Sequence, residues 1–194
     1  MSTWRIGDNV AWSSAWSAET GFALRASADF PGMLEVSQVD RQGQGEPLFA
    51  AVHVDRQRRG IVDGRCHVCG VRTDMGDRWM CPVASGGFVT LHDGRRGFGC
   101  NVPPLHGACA GLAAARCPHL GRLVEAPTPW PDEEGRVIQR TDVPPGMEAL
   151  AATLPRDREI IYSCYRLFSP DVADRIAALR DAWDVQIRAG RTAT

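Results

Sequence analysis

Six of the seven cysteines fall between Cys66 and Cys117, and their spacing is that of metal ligands. Cys66-His67-Val68-Cys69-Gly70 places two thiols two residues apart on a tight turn. The following glycine permits the positive φ that turns backbone N–H groups toward the sulfurs. The second pair, His106-x2-Cys109, falls where a helix should begin. Pro103 and Pro104 stop any earlier helix, and Ala108 to Arg116 is rich in helix-forming alanine. Residues three apart on a first helical turn share a face, so an imidazole nitrogen of His106 and Sγ of Cys109 can address one ion. The positive end of the helix dipole is expected to favour thiolate at Cys109. Cys66, Cys69, His106 and Cys109 are therefore the expected ligands of a Zn2+ ion. Three thiolates and an imidazole leave no open position, which points to structural rather than catalytic zinc. The 36 residues between the pairs make an unusually long interval for a minimal finger.

The elements that must carry these ligands are a knuckle, a hairpin and a helix, a treble-clef-like unit inside an α+β protein. Residues 61–124 are assigned to the zinc unit. Residues 1–60 precede it as a small β-rich part with strands near Asn9–Trp12, Gly21–Arg25, Met33–Val36 and Leu48–Val54. Trp4, Trp12 and Trp16 are expected to fill its core. Inside the zinc unit, Phe88–His92 and Arg95–Cys100 flank Asp93-Gly94, a strong hairpin signal. Residues 125–155 form a proline-rich connector with Pro127, Pro129, Pro131, Pro144 and Pro145, broken by a short strand at Val137–Gln139. The last segment, 156–194, holds an apolar run of undetermined type, Ile160 to Phe168, and then a helix. Ser169 is its N-cap, Pro170 sits at N1, and Val172, Ile176, Leu179, Trp183 and Ile187 form one stripe. Arg191 to Thr194 is expected to fray. The four parts together are expected to make one compact domain.

Cys81 and Cys100 lie at the base of the hairpin. They read as core thiols, as reserve ligands, or as half of a second metal site with His92, Cys117 or His119. His53 reads as a satisfied strand histidine. Arg56, Arg58 and Arg59 are three arginines in four residues. They could bind a phosphate or an acidic partner, or simply line a solvated turn or short helix.

Composition narrows the classes. With 194 residues, 44% hydrophobic content and a net charge of −1, the chain can bury a core and has no global basic footprint. Its 22 basic residues are all arginine, which suggests a GC-rich coding genome of actinobacterial type. No leader segment and no apolar run of membrane-spanning length is expected, and the expected setting is a reducing cytoplasm, where clustered cysteines mean metal before disulfides.

The motif order Phe49…Val52-His53…Arg56-Gln57-Arg58-Arg59, Cys66-His67-Val68-Cys69-Gly70, Pro103-Pro104…His106…Cys109-Ala110…Cys117-Pro118-His119-Leu120 resembles uncharacterised cysteine-rich proteins common in Streptomyces and related actinobacteria. It covers roughly residues 43–124. In that family a cysteine usually stands where this chain has His106, an exchange that preserves zinc ligation. The resemblance implies the metal site and brings no established activity.

Two functional readings follow. The first is a non-enzymatic, zinc-stabilised binding module. Its partner would be a protein or nucleic acid reached through Arg56, Arg58 and Arg59, through the hairpin tip or through the proline-rich arm. A homodimer through the C-terminal helix is the further partner expectation, and no membrane is involved. The alternative is a metal-dependent tailoring enzyme of secondary metabolism, which would need an open or second metal position. No His-Glu-x2-His, deaminase-type or serine-nucleophile motif supports it, and no iron–sulfur spacing is present.

Overall fold

A computed structural model describes residues 4–117, 120, 126–144 and 146–192. The described residues form a mixed α+β structure with several small sheets and four α-helices of four residues or more. The first half carries β1 (Ser14–Trp16), β2 (Phe22–Ala26), β3 (Leu34–Gln38) and β4 (Pro47–Val52), then α1 (Val54–Asp63). After the knuckle come β5 (Trp79–Met80), β6 (Gly86–Thr90), β7 (Arg96–Cys100) and α2 (Gly107–Arg116). The last part adds β8 (Thr128–Pro129), β9 (Arg136–Arg140), α3 (Glu148–Ala151), β10 (Ile160–Ile161), β11 (Ser163–Phe168) and α4 (Pro170–Thr192).

The largest sheet has the order β6-β7-β11-β9, all neighbours antiparallel. Its β6–β7 hairpin turns at Asp93-Gly94, where Gly94 has φ +80 and Asp93 Oδ1 accepts from the Arg95 N–H at 3.0 Å. One face is apolar: Phe98, Cys100 and Phe168 pack against Val172, Ala173 and Ile176 of α4, with Met80 and Trp130 closing the cluster. The run from Ile160 to Phe168 thus becomes two strands. β10 pairs in parallel with β3, and β11 enters the large sheet. Its alternation of buried and half-buried residues matches a sheet with one covered face.

Helix α4 starts as expected, with the Val172 N–H donating to Ser169 Oγ at 3.4 Å. Its stripe divides. Val172 and Ile176 are buried, whereas Leu179 is 39% exposed. It is the neighbouring Arg180 that covers the sheet there, its guanidinium over the Phe88 and Phe98 rings and bonded to the Gly86 carbonyl at 3.1 Å. The helix continues to Thr192, beyond the point where fraying was expected.

Two N-terminal expectations change. The segment near Asn9–Trp12 forms only an isolated bridge, Ile6 to Val10, and the strand lies later, at β1. The three tryptophans also part company. Trp16 is buried, Trp4 packs edge-on against Phe49, and Trp12 belongs to the knuckle described below.

The segment following His53 is helix α1. His53 is its N-cap, Nδ1 accepting from the Arg56 N–H at 3.4 Å, and Gly64 closes it at φ +66. The carbonyls of Ile61 and Val62 near its C-terminus are met by Arg166 Nε and Nη2 at 2.9 and 3.1 Å. That buried guanidinium therefore complements the negative end of the helix.

The stretch is a short helix leading into the knuckle, but two of its three arginines are not solvated. Arg56 and Arg58 are each 1% exposed. Arg56 makes paired bonds to Glu19 at 2.9 and 2.7 Å and reaches Asp40 at 2.8 Å. Arg58 sits between Glu35 at 3.1 Å and Asp55 at 2.9 Å, and Arg25 closes the ring onto the same two acids. Only Arg59 is half exposed. Arginines at 56, 58 and 59 of one helix cannot all face one way, and the two that turn inward meet Glu35 of β3, Asp55 of α1 itself, and Glu19 and Asp40 from the loops.

Candidate metal centre

The knuckle is built by backbone bonds. The Cys66 N–H donates to the Val71 carbonyl at 2.7 Å and the Gly70 N–H to the Cys66 carbonyl at 2.9 Å, with Gly70 at φ +75. A bridge between Arg65 and Arg72 closes its base. Opposite it, Leu105 pairs with Trp79 through N–H···O bonds of 2.8 and 2.9 Å, and this pairing aims the start of α2 at the knuckle. The β6–β7 hairpin is inserted between Trp79 and Leu105, which accounts for the long interval between the ligand pairs.

This places one ligand atom from each of Cys66, Cys69, His106 and Cys109 within 4.8 Å of the others. The four could hold a metal ion. A tetrahedron with metal–sulfur bonds of about 2.3 Å has edges near 3.8 Å, so the ligands need contract by only about 1 Å. Cys66 is buried, and the other three are half exposed. Burial pushes the Cys66 thiol up, and burial with the adjoining Cys66 and Cys69 sulfurs pushes the Cys109 thiol up as well. Three thiols packed this closely resist losing protons together, and a cation among them removes the obstacle. Sulfur and nitrogen donors suit a borderline-soft ion such as zinc.

The N-terminal segment packs directly onto the knuckle, which composition and spacing did not signal. Trp12 and Ser13 donate their N–H groups to the Val68 and His67 carbonyls at 2.8 and 3.2 Å. The Trp12 ring lies against Gly70, where an added Cβ would sit 2.6 Å from Cγ. Ser13 Oγ bonds His67 Nδ1 at 2.5 Å, and Asp8 pairs with Arg116 of α2. The one sequence hint was Gly70, whose missing side chain leaves room for the ring.

The remaining candidates disperse. Cys81 and Cys100 are buried core thiols, and burial lifts the Cys100 thiol to about 12. Among the described residues, Cys81, His92, Cys100 and Cys117 do not gather into a ligand set; His119 lies outside the described residues. Glu19, Asp40 and His53 do come together. There the Arg56 guanidinium is already the cation, bonded to both carboxylates.

Comparison with known proteins adds no relative: no family model matches the chain, and neither a curated protein nor a solved structure matches it. Among the described residues no helix is long and apolar enough to cross a membrane.

Proposed function

We propose that this chain is a binding module whose fold is held by zinc in a treble-clef arrangement of knuckle, hairpin strands and helix. Cys66, Cys69, His106 and Cys109 would be the ligands. The observation that carries the reading is the convergence of four donors from two segments 36 residues apart, with all four coordination positions supplied by protein. Zinc closed in this way contributes folding energy instead of activating water. It would lock the knuckle, and the N-terminal segment packed on it, to α2. A partner cannot be met by Arg56 and Arg58, which are buried. The exposed Asp93–Arg95 tip of the hairpin and the proline-rich arm are the surfaces this reading assigns to a protein partner, in preference to a nucleic acid, given the net charge of −1. A second copy would pack on the distal half of α4, around Leu179 and Trp183. Elemental mass spectrometry of purified protein tests the metal: one zinc per chain is expected, lost together with cooperative unfolding when His106 and Cys109 are changed to alanine. Two metals per chain, or none, would refute it.

A further inference from the structure

His106 occupies the N-cap position of α2, with extended backbone at φ −70 and ψ 154, yet its side chain makes no capping bond. Asp77 takes over that role: its Oδ1 accepts from the Gly107 N–H at 2.8 Å. A carboxylate at this end also complements the helix dipole. Relieved of capping, the imidazole has both ring nitrogens engaged elsewhere. Nδ1 faces Cys69 Sγ at 3.4 Å, inside the thiol cluster, and Nε2 lies 3.2 Å from the Arg72 carbonyl.

We propose that His106 ligates the metal through Nδ1, with Nε2–H donated to the Arg72 carbonyl, and that Asp77 positions this ligand by capping α2 in its place. The inference rests on the metal reading above and specifies how the site is built. A carbonyl only accepts, so the nitrogen facing Arg72 must carry the proton, and the nitrogen facing the sulfurs is then the one with a free lone pair. Coordination through Nε2 would require the ring to turn out of both contacts. The arrangement also gives the knuckle two links to α2, one through the ion and one through the Arg72 carbonyl. Such outer partners fix the tautomer and orientation of a ligating histidine.

Nδ1 stands much closer to the backbone than Nε2, so a short side chain can replace it. His106→Cys should therefore retain one zinc per chain, whereas His106→Gln, which extends toward the Nε2 position, should lose it. In the zinc-loaded protein with 15N-labelled histidine, long-range proton–nitrogen correlation should show Nδ1 bound to metal and Nε2 protonated, the signal being assigned by its absence in His106→Cys. Asp77→Ala should weaken zinc binding, measured by competition with a chromophoric chelator, by roughly 10–100-fold. Asp77→Asn, which keeps the same Oδ1 acceptor, should recover most of it. Metal at Nε2, loss of zinc from His106→Cys, or unchanged affinity in Asp77→Ala would each overturn the proposal while leaving structural zinc standing. A wild-type protein that takes up no zinc would overturn both.

Discussion

Gln57 and Cys164, 107 residues apart, meet as complementary amides. Gln57 Nε2 donates to the Cys164 carbonyl at 2.6 Å, and the Cys164 N–H donates to Gln57 Oε1 at 3.2 Å. The same Nε2 reaches the Asn101 carbonyl at 2.7 Å. One side chain of α1 thereby serves backbone groups of β11 and of the loop that leads to the candidate metal centre. Gln57→Leu should destabilise the protein by about 3 kcal/mol, since it leaves buried backbone groups unpaired. Gln57→Glu should be worse still, because it sets a carboxylate against two carbonyls. Urea unfolding of the two variants checks the size and the order.

Gly70 combines φ +75 with the Trp12 ring against its Cα. Gly70→Ala must strain the backbone and displace the ring, so a loss of about 2 kcal/mol or more is expected, with weaker metal retention. Thermal unfolding together with metal content tests this. If Gly70→Ala were as stable as the parent, the packing of Trp12 on the knuckle would be wrong.

Chelation should separate the knuckle from α2 and release the segment lying on it. Adding a strong chelator should shift tryptophan emission to the red as Trp12 leaves Gly70, and should lower the melting temperature. Restoring zinc should reverse both changes. A melting temperature indifferent to chelator would count against a structural ion.

Burial and the Arg56 cation hold the His53 imidazole below its ordinary value. Between the unfolded value of about 6.5 and the lower folded one, the unfolded chain binds the extra proton, so stability falls as pH drops through that window. Protonation also removes the Nδ1 lone pair that caps α1. His53→Asn keeps a good cap and does not titrate. Its stability should therefore depend less on pH below about 6.5 than that of the parent, as equilibrium unfolding at several pH values would reveal.

Arg56 and Arg58 are internal ion-pair members, so changing either to alanine strands buried carboxylates. Each should cost about 3–5 kcal/mol, whereas Arg59→Ala should be nearly neutral. Partner-binding experiments that change all three at once would report unfolding. Urea midpoints of the three single variants distinguish a buried network from a surface patch.

Local signals alone were enough for the elements whose cause is local. The Asp93-Gly94 hairpin, the start of α2 after Pro103-Pro104, the Ser169 cap of α4 and the two ligand pairs all follow from turn chemistry, capping and i, i+3 geometry. The cluster of Cys66, Cys69, His106 and Cys109, which could hold a metal ion, was legible for the same reason, because each pair carries its own spacing. Tertiary structure decided the rest. Whether Arg56 and Arg58 face water depends on acids at Glu19, Glu35 and Asp40, remote in sequence and unmarked by any pattern. The type of the Ile160–Phe168 run depends on β3, β7 and β9 being there to pair with it. The seat of Trp12 and the choice between the two nitrogens of His106 depend on Gly70 and on the Arg72 carbonyl. Each of these is a contact between segments far apart in the chain, and its energy exists only once the fold has brought them together.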